Sequence, residues 1–294
     1  MKIALIGCGE VGHCYAQAWL AAGHGVPAVC ELRQDGAMRA QAHAYGAMLH
    51  TTPGPWLAQA DLVVSAVYGH AARTVAEQAI PHLRGDALYA DFTTASAADM
   101  RAAADVAGRH GVPFADVAIM GAIALLGART PLLCAGTAAP AIAEFAQGCG
   151  ISAQAIDGQA GDAVQLKLLR SILTKGMESL AVECLVAAEQ LGLRSALYDV
   201  LGDMDRTPLT TFLDAFVRSH VLHAPRRLAE VRKAREQLVL AGLQPLVLDG
   251  VERLFARTAE GVETARAATG GAPLDVPDTV PARLAWLTPL ARQS

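Results

Sequence analysis

At 294 residues the chain is long enough for about two domains and can bury about three quarters of its unfolded surface, which excludes a disulfide-stapled miniprotein. It is 53% hydrophobic and only 18% charged, a balance that predicts a packed core rather than disorder. The formal charge of −4 is too small for a dedicated polyanion binder, so nucleic acid is not an expected partner. Six cysteines form no C-x-x-C pair, and Met1 runs straight into apolar KIALIG without a basic leader; both point to a reduced, cytoplasmic protein.

Short apolar runs alternate with Ala-rich amphipathic stretches through the first half, the pattern that builds a parallel sheet. Strands are predicted near 2–6, 26–31, 61–67, 86–91, 113–119, 131–135 and 151–156, with helices near 10–22, 34–46, 71–82, 96–110 and 139–148. After Gly161 the alternation stops, and long helices are predicted near 162–191, 209–241 and 245–268. The expected fold is therefore α/β. A Rossmann-type doubly wound sheet occupies residues 1–157, and an all-α domain, joined by a long helix, occupies 158–294. Residues 270–294 read as a loosely packed tail. No run of 18 apolar residues without charge is present, so a membrane is not an expected partner.

Gly7, Gly9 and Gly12 fit G-x-G-x-x-G where the first strand passes into a helix. In that context Gly7 permits the turn, Gly9 lets a pyrophosphate approach the backbone, and Gly12 allows close helix packing. Glu10 and Val11 lie in the same turn, at a helix N-terminus whose N–H groups and dipole favour a phosphate. Glu31, at the end of the second strand, can accept hydrogen bonds from ribose hydroxyls and favours NAD. Arg33 could instead hold a 2′-phosphate, which keeps NADP possible. Val67, Tyr68 and Gly69 follow the third predicted strand and are expected near a cofactor ribose.

Only four of the 24 basic residues are lysines (2, 167, 175 and 233), so Lys167, within an apolar helix, needs a reason. At 100° per residue, Arg170, Ser171, Thr174 and Glu178 fall within about 60° of it. A helix this apolar is expected to be buried, with its polar stripe facing a wet cleft or an ion-pair partner. One reading is structural, an ion pair of Lys167 or Arg170 with Glu178. The other is catalytic. Hydride transfer at an alcohol carbon must be matched by a proton on the oxygen, and a lysine made less basic by burial or by Arg170 can carry it. No residue spacing suits a metal, and His220 and His223 read as packing or surface histidines.

These motifs resemble those of the β-hydroxyacid dehydrogenase superfamily, which includes 3-hydroxyisobutyrate, tartronate-semialdehyde and 6-phosphogluconate dehydrogenases. Asp91-Phe92-Thr93-Thr94 resembles its D-x-S-T, Asp116 to Ala122 resembles D-A-P-V-S-G-G, and Gly158 to Lys167 resembles the segment that carries its catalytic lysine. The chain departs from the pattern at Met120, Ala122 and Arg170. With His223 to Arg227, these residues resemble the branch carrying a DUF1932 domain. The resemblance implies that Lys167 is catalytic and that Thr93, Thr94 and Ser171 contact a small carboxylate substrate. It implies that the Met120-Gly121 backbone and Arg170 hold the substrate's anionic group, and that the C-terminal helices form a homodimer. The expected reaction interconverts a 3-hydroxy acid and its oxo form. Imine reductases share this architecture but usually replace the lysine, and a dinucleotide-binding sensor is the non-enzymatic alternative.

Overall fold

The computed structural model describes residues 1–292 and divides into two compact units, Met1–Ile172 and a second beginning at Leu173. The first unit holds one eight-stranded sheet: β1 (Lys2–Ile6), β2 (Gly25–Cys30), β3 (Met48–His50), β4 (Leu62–Ser65), β5 (Leu88–Asp91), β6 (Phe114–Ile119), β7 (Leu132–Ala135) and β8 (Ala153–Ala155). Between the strands lie α1 (Glu10–Ala21), α2 (Gly36–Tyr45), α3 (Ala72–Ala79), α4 (Ala97–Arg109), α5 (Ile123–Leu126) and α6 (Ala139–Gly148). The helix α7 (Asp162–Gln190) crosses the division at residue 172. The second unit is helical, with α8 (Arg194–Val200), α9 (Leu209–Leu240), α10 (Leu246–Ala268) and α11 (Val280–Ala291).

The strand order is β3-β2-β1-β4-β5-β6-β7-β8. The chain moves outward from β1 in one direction through β2 and β3, then returns to place β4 on the other side of β1. That reversal opens a crevice past the carboxyl ends of β1 and β4, where this class of sheet takes its ligands. Two buried clusters cover the sheet. One contains Tyr15, Trp19, Phe92 and Ile142, from α1, α6 and the sheet. The other contains Ile80, Tyr89, Met100 and Phe114, under α3 and α4.

The structure departs from the sequence expectations at several places, among them the short helices α5 and α8. The sheet is not wholly parallel, because β6 and β7 pair antiparallel. A short edge strand, β3, pairs with β2. Residues 280–291 of the expected loose tail form α11, begun by Thr279, whose side chain accepts from the Ala282 amide, and by a proline in its first turn. Finally, α7 is not buried in the single chain. Leu169, Ile172 and Val182 are 55%, 73% and 60% exposed.

Within the helical unit three of the six basic residues in the stretch 218–236 are in ion pairs. Arg226 pairs with Glu230, Arg232 with Glu252, and Arg235 with Asp249. His220 hydrogen-bonds Thr258 and packs edge-on against Phe255, the arrangement of a packing histidine.

Candidate active site

The glycine turn links β1 to α1. Gly7 has φ +87°, a left-handed conformation, and a Cβ there would meet the Ala66 carbonyl oxygen at 2.5 Å. A Cβ on Gly12 would collide with the Gly7 carbonyl oxygen, whereas one on Gly9 would meet open space. The backbone is thus packed against itself at Gly7 and Gly12 and open at Gly9. No side chain caps the start of α1, so its first N–H groups are left for a ligand. This cradle fits a pyrophosphate.

Glu31 follows β2 directly. Its carboxylate accepts from the Cys8 amide at 3.0 Å and from its neighbour Leu32 at 2.9 Å. Arg33 points elsewhere: it is 87% exposed and pairs with Asp35 at 3.2 Å. Cys8 is buried, and burial pushes its thiol up to about 11, so it is a small filler rather than a nucleophile.

A cleft of about 480 Å³ opens beside the turn. Glu10, Val11, Val67, Tyr68 and Gly69 line it together with Thr93, Thr94, Gly121 and Lys167. Lys167 therefore reaches the cleft from the first turns of α7, and its Nζ donates to Thr94 Oγ1 at 2.7 Å. Burial holds the Lys167 ammonium below its ordinary range, while the nearby Asp116 charge acts in the opposite direction. Glu178, the ion-pair candidate for Lys167 or Arg170, instead pairs with Lys175 at 2.6 Å.

Other expected substrate residues are not brought to the cleft. Met120 packs against Ala118, Ala135 and Ala163, and its amide is spent on the Pro131 carbonyl at 2.8 Å. Arg170 is exposed and does not line the cleft. Ser171 Oγ donates back to the Lys167 carbonyl at 3.0 Å within α7. In their place stand Phe92, Ile119, Ala122, Ile123 and Ala124, which make much of the cleft's wall apolar.

Two buried acids had no role assigned from sequence. Asp91 Oδ1 accepts from the Thr93 amide at 2.8 Å and from the Thr93 hydroxyl. Asp116 Oδ2 accepts from the Gly161 and Val164 amides, each at 3.0 Å. The available signal was an aspartate within each of the apolar strands LYAD and FADVAI, since a buried carboxylate must find donors. A second concavity, of about 420 Å³, lies in the helical unit between α7, α9 and α10. Its Glu183 is already committed to the Val247 and Leu248 amides at the start of α10.

Residues 2–147 match the NAD binding domain of 6-phosphogluconate dehydrogenase, and residues 188–258 match a domain of unknown function, DUF1932. The chain thus carries an NAD-binding domain of the 6-phosphogluconate dehydrogenase kind followed by a DUF1932 domain. A conserved hypothetical protein from Sinorhizobium meliloti 1021 is 27% identical, with a TM-score of 0.60 over 99% of this chain and 96% of that one. Conserved protein MTH1747, described as structurally similar to 3-hydroxyacid dehydrogenases, is 25% identical, with a TM-score of 0.62 over 88% and 97%. An imine reductase from Myxococcus stipitatus, a V8 variant in complex with NAD+, shares the fold at 18% identity, with a TM-score of 0.75 over 99% of each chain. Among the described residues, no helix is long and apolar enough to cross a membrane.

Proposed function

We propose that this protein is an NAD-dependent oxidoreductase that interconverts a small 3-hydroxy acid, or a similar hydroxylated carboxylate, with its oxo form. The observation that carries the reading is the Lys167 amine, held at 2.7 Å from Thr94 Oγ1 in a cleft that also borders the glycine turn. Gly9 to Gly12 would hold the pyrophosphate and Glu31 the adenosine ribose. Once bound, the nicotinamide supplies the hydride acceptor or donor.

The chain's own residues supply the proton chemistry. In the oxidative direction a neutral Lys167 amine takes the proton from the substrate hydroxyl as hydride leaves the carbon. In the reverse direction its ammonium returns that proton to the carbonyl oxygen. Burial favours the neutral amine, and arginine could not serve because it does not deprotonate in proteins. Thr94 fixes the amine by accepting one of its hydrogens, and its own hydroxyl hydrogen remains available to orient substrate. Thr93 is held rigid by Asp91.

A second reading, reduction of a C=N bond, is favoured by the apolar lining at Ile119, Ala122, Ile123 and Ala124 and by the exposure of Arg170. These features leave little in this cleft to hold a substrate anion. Turnover of small hydroxy acids and of cyclic imines, each with NAD and NADP and followed by nicotinamide absorbance, separates the two readings. Oxidation of a hydroxy acid supports the first; activity confined to imines replaces it with the second; the absence of both leaves a dinucleotide sensor.

The apolar surface of α7 supports a homodimer through the C-terminal helices, because exposed apolar residues this numerous on one helix mark an interaction surface. Sedimentation velocity tests this, with a mass near twice 30.6 kDa expected.

A further inference from the structure

Asp91 and Asp116 stand opposite each other in register, at the end of β5 and within β6. Both are fully buried. Each is bound to the backbone segment that carries one half of the Lys167–Thr94 pair. Asp91 holds the turn that carries Thr93 and Thr94, and Asp116 holds the first turn of α7 through the Gly161 and Val164 amides. Val164 and Lys167 are three residues apart, and so lie on one face of the helix. A carboxylate on a helix's open N–H groups also meets the positive end of its dipole. The cap is therefore fixed from a neighbouring strand rather than from the helix's own sequence. A shift of β6 relative to α7 would move the amine.

We propose that Asp116 is the positioning residue for Lys167, clamping the helix turn beneath the amine and supplying the negative charge that the ammonium faces from the sheet. The inference rests on the reading of Lys167 as the proton-transfer group. The other charged groups around the amine are few. Asp91 lies beside Asp116 on β5, Glu10 comes from α1 and lines the same cleft, and Asp162 and Arg170 sit on α7 itself. Asp162 is spent on the Gln159 amide at 3.0 Å. Burial lowers the Lys167 pKa, and the Asp116 charge opposes that shift by favouring the ammonium.

Asparagine separates the two roles, because its carbonyl oxygen can accept both amides while its charge is gone. The test is trace labelling of the full chain with acetic anhydride across a pH series, read at each lysine by mass spectrometry. With only four lysines, Lys2, Lys175 and Lys233 act as internal references. In Asp116→Asn the labelling midpoint of Lys167 is expected to move to lower pH while the other three stay fixed, with the fold retained by circular dichroism. An unmoved Lys167 midpoint overturns the proposal, as does an Asp116→Asn chain that fails to fold. In the enzyme assay, Asp116→Ala should lose on the order of 10²-fold in turnover, the size of effect that a misplaced catalytic group produces. Asp116→Asn should recover most of that loss, with the limb of the pH profile due to Lys167 displaced downward. Labelling needs no turnover, so a shifted midpoint in a chain that turns over neither hydroxy acids nor imines would sink the enzymatic reading and leave the positioning role standing.

Discussion

Glu31 and Cys8 are joined across the nucleotide end of the sheet: the Glu31 carboxylate accepts the Cys8 amide at 3.0 Å, so the acid that ends β2 is tied to the glycine turn that follows β1. A negative charge fixed there repels a 2′-phosphate and accepts ribose hydroxyls. NAD is expected to bind more tightly than NADP. Glu31→Ala should weaken NAD by about 1.5 to 3 kcal/mol, the scale of hydrogen bonds to a charged group, and narrow the gap between the two. Fluorescence titration with both dinucleotides measures it, and a native preference for NADP would reverse the assignment in favour of Arg33.

Lys167→Met keeps much of the side chain's volume and removes its proton. Turnover should fall by about 10² to 10⁴-fold, while NAD affinity and the melting temperature change little. The structure makes this contrast sharp, since the partner of Lys167 is the Thr94 hydroxyl, with Glu178 occupied by Lys175. Loss of a buried ion pair would instead cost about 3 to 5 kcal/mol of stability. A variant that melts early but turns over normally when folded removes Lys167 from the chemistry.

Gly12→Ala places a methyl group against the Gly7 carbonyl oxygen. The turn must open, at a cost of about 1 to 3 kcal/mol typical of overpacking. Dinucleotide affinity should fall with stability. Gly9→Ala, facing open space in the chain alone, should leave the melting temperature of the ligand-free protein unchanged. Melting curves of both variants, with and without NAD, check the pair.

Asp91 has its carboxyl pushed up to about 6 by burial, the largest cause, although the hydrogen bonds from Thr93 act the other way. A carboxyl raised in the folded state binds its proton more tightly there than in the unfolded chain. Its contribution is present in full below pH 3.8 and is lost as pH rises through about 6. The whole change corresponds to about 3 kcal/mol. Asp91→Asn retains an acceptor for Thr93 and cannot titrate, so its denaturation midpoint should vary less between pH 4 and pH 7 than that of the native chain. Parallel curves for the two proteins would show that Asp91 keeps its charge throughout.

The features legible in the sequence were those where chemistry restricts the residue. A turn that cannot tolerate a Cβ demands Gly7 and Gly12, and a lysine in an apolar stretch of a chain whose usual cation is arginine marks Lys167. Strand direction was less legible, because alternating apolar runs predict that β7 exists without saying that it turns back against β6. The tail helix carried its own signal in Thr279 and Pro281, outweighed by the nearby Gly270, Gly271 and Pro273. The apolar surface of α7 misled for another reason: hydrophobic periodicity reports that a face avoids water, but not whether the same chain covers it. Arg170 stood on the polar stripe by angle, yet angle alone does not bring a side chain into a cleft.

The antiparallel pairing of β6 and β7 also bears on how such a protein can change its substrate. Because the two strands run in opposite directions, residues 120–131 leave and rejoin the sheet at one end, without the crossover helix that a parallel pair would need. That segment includes Gly121, Ala122, Ile123 and Ala124 of the cleft wall. It can therefore be lengthened, shortened or rewritten as a cassette while the glycine turn, the Lys167 helix and the buried acids stay as they are. Divergence can run through this one excursion, altering the cleft wall and sparing the Lys167–Thr94 pair.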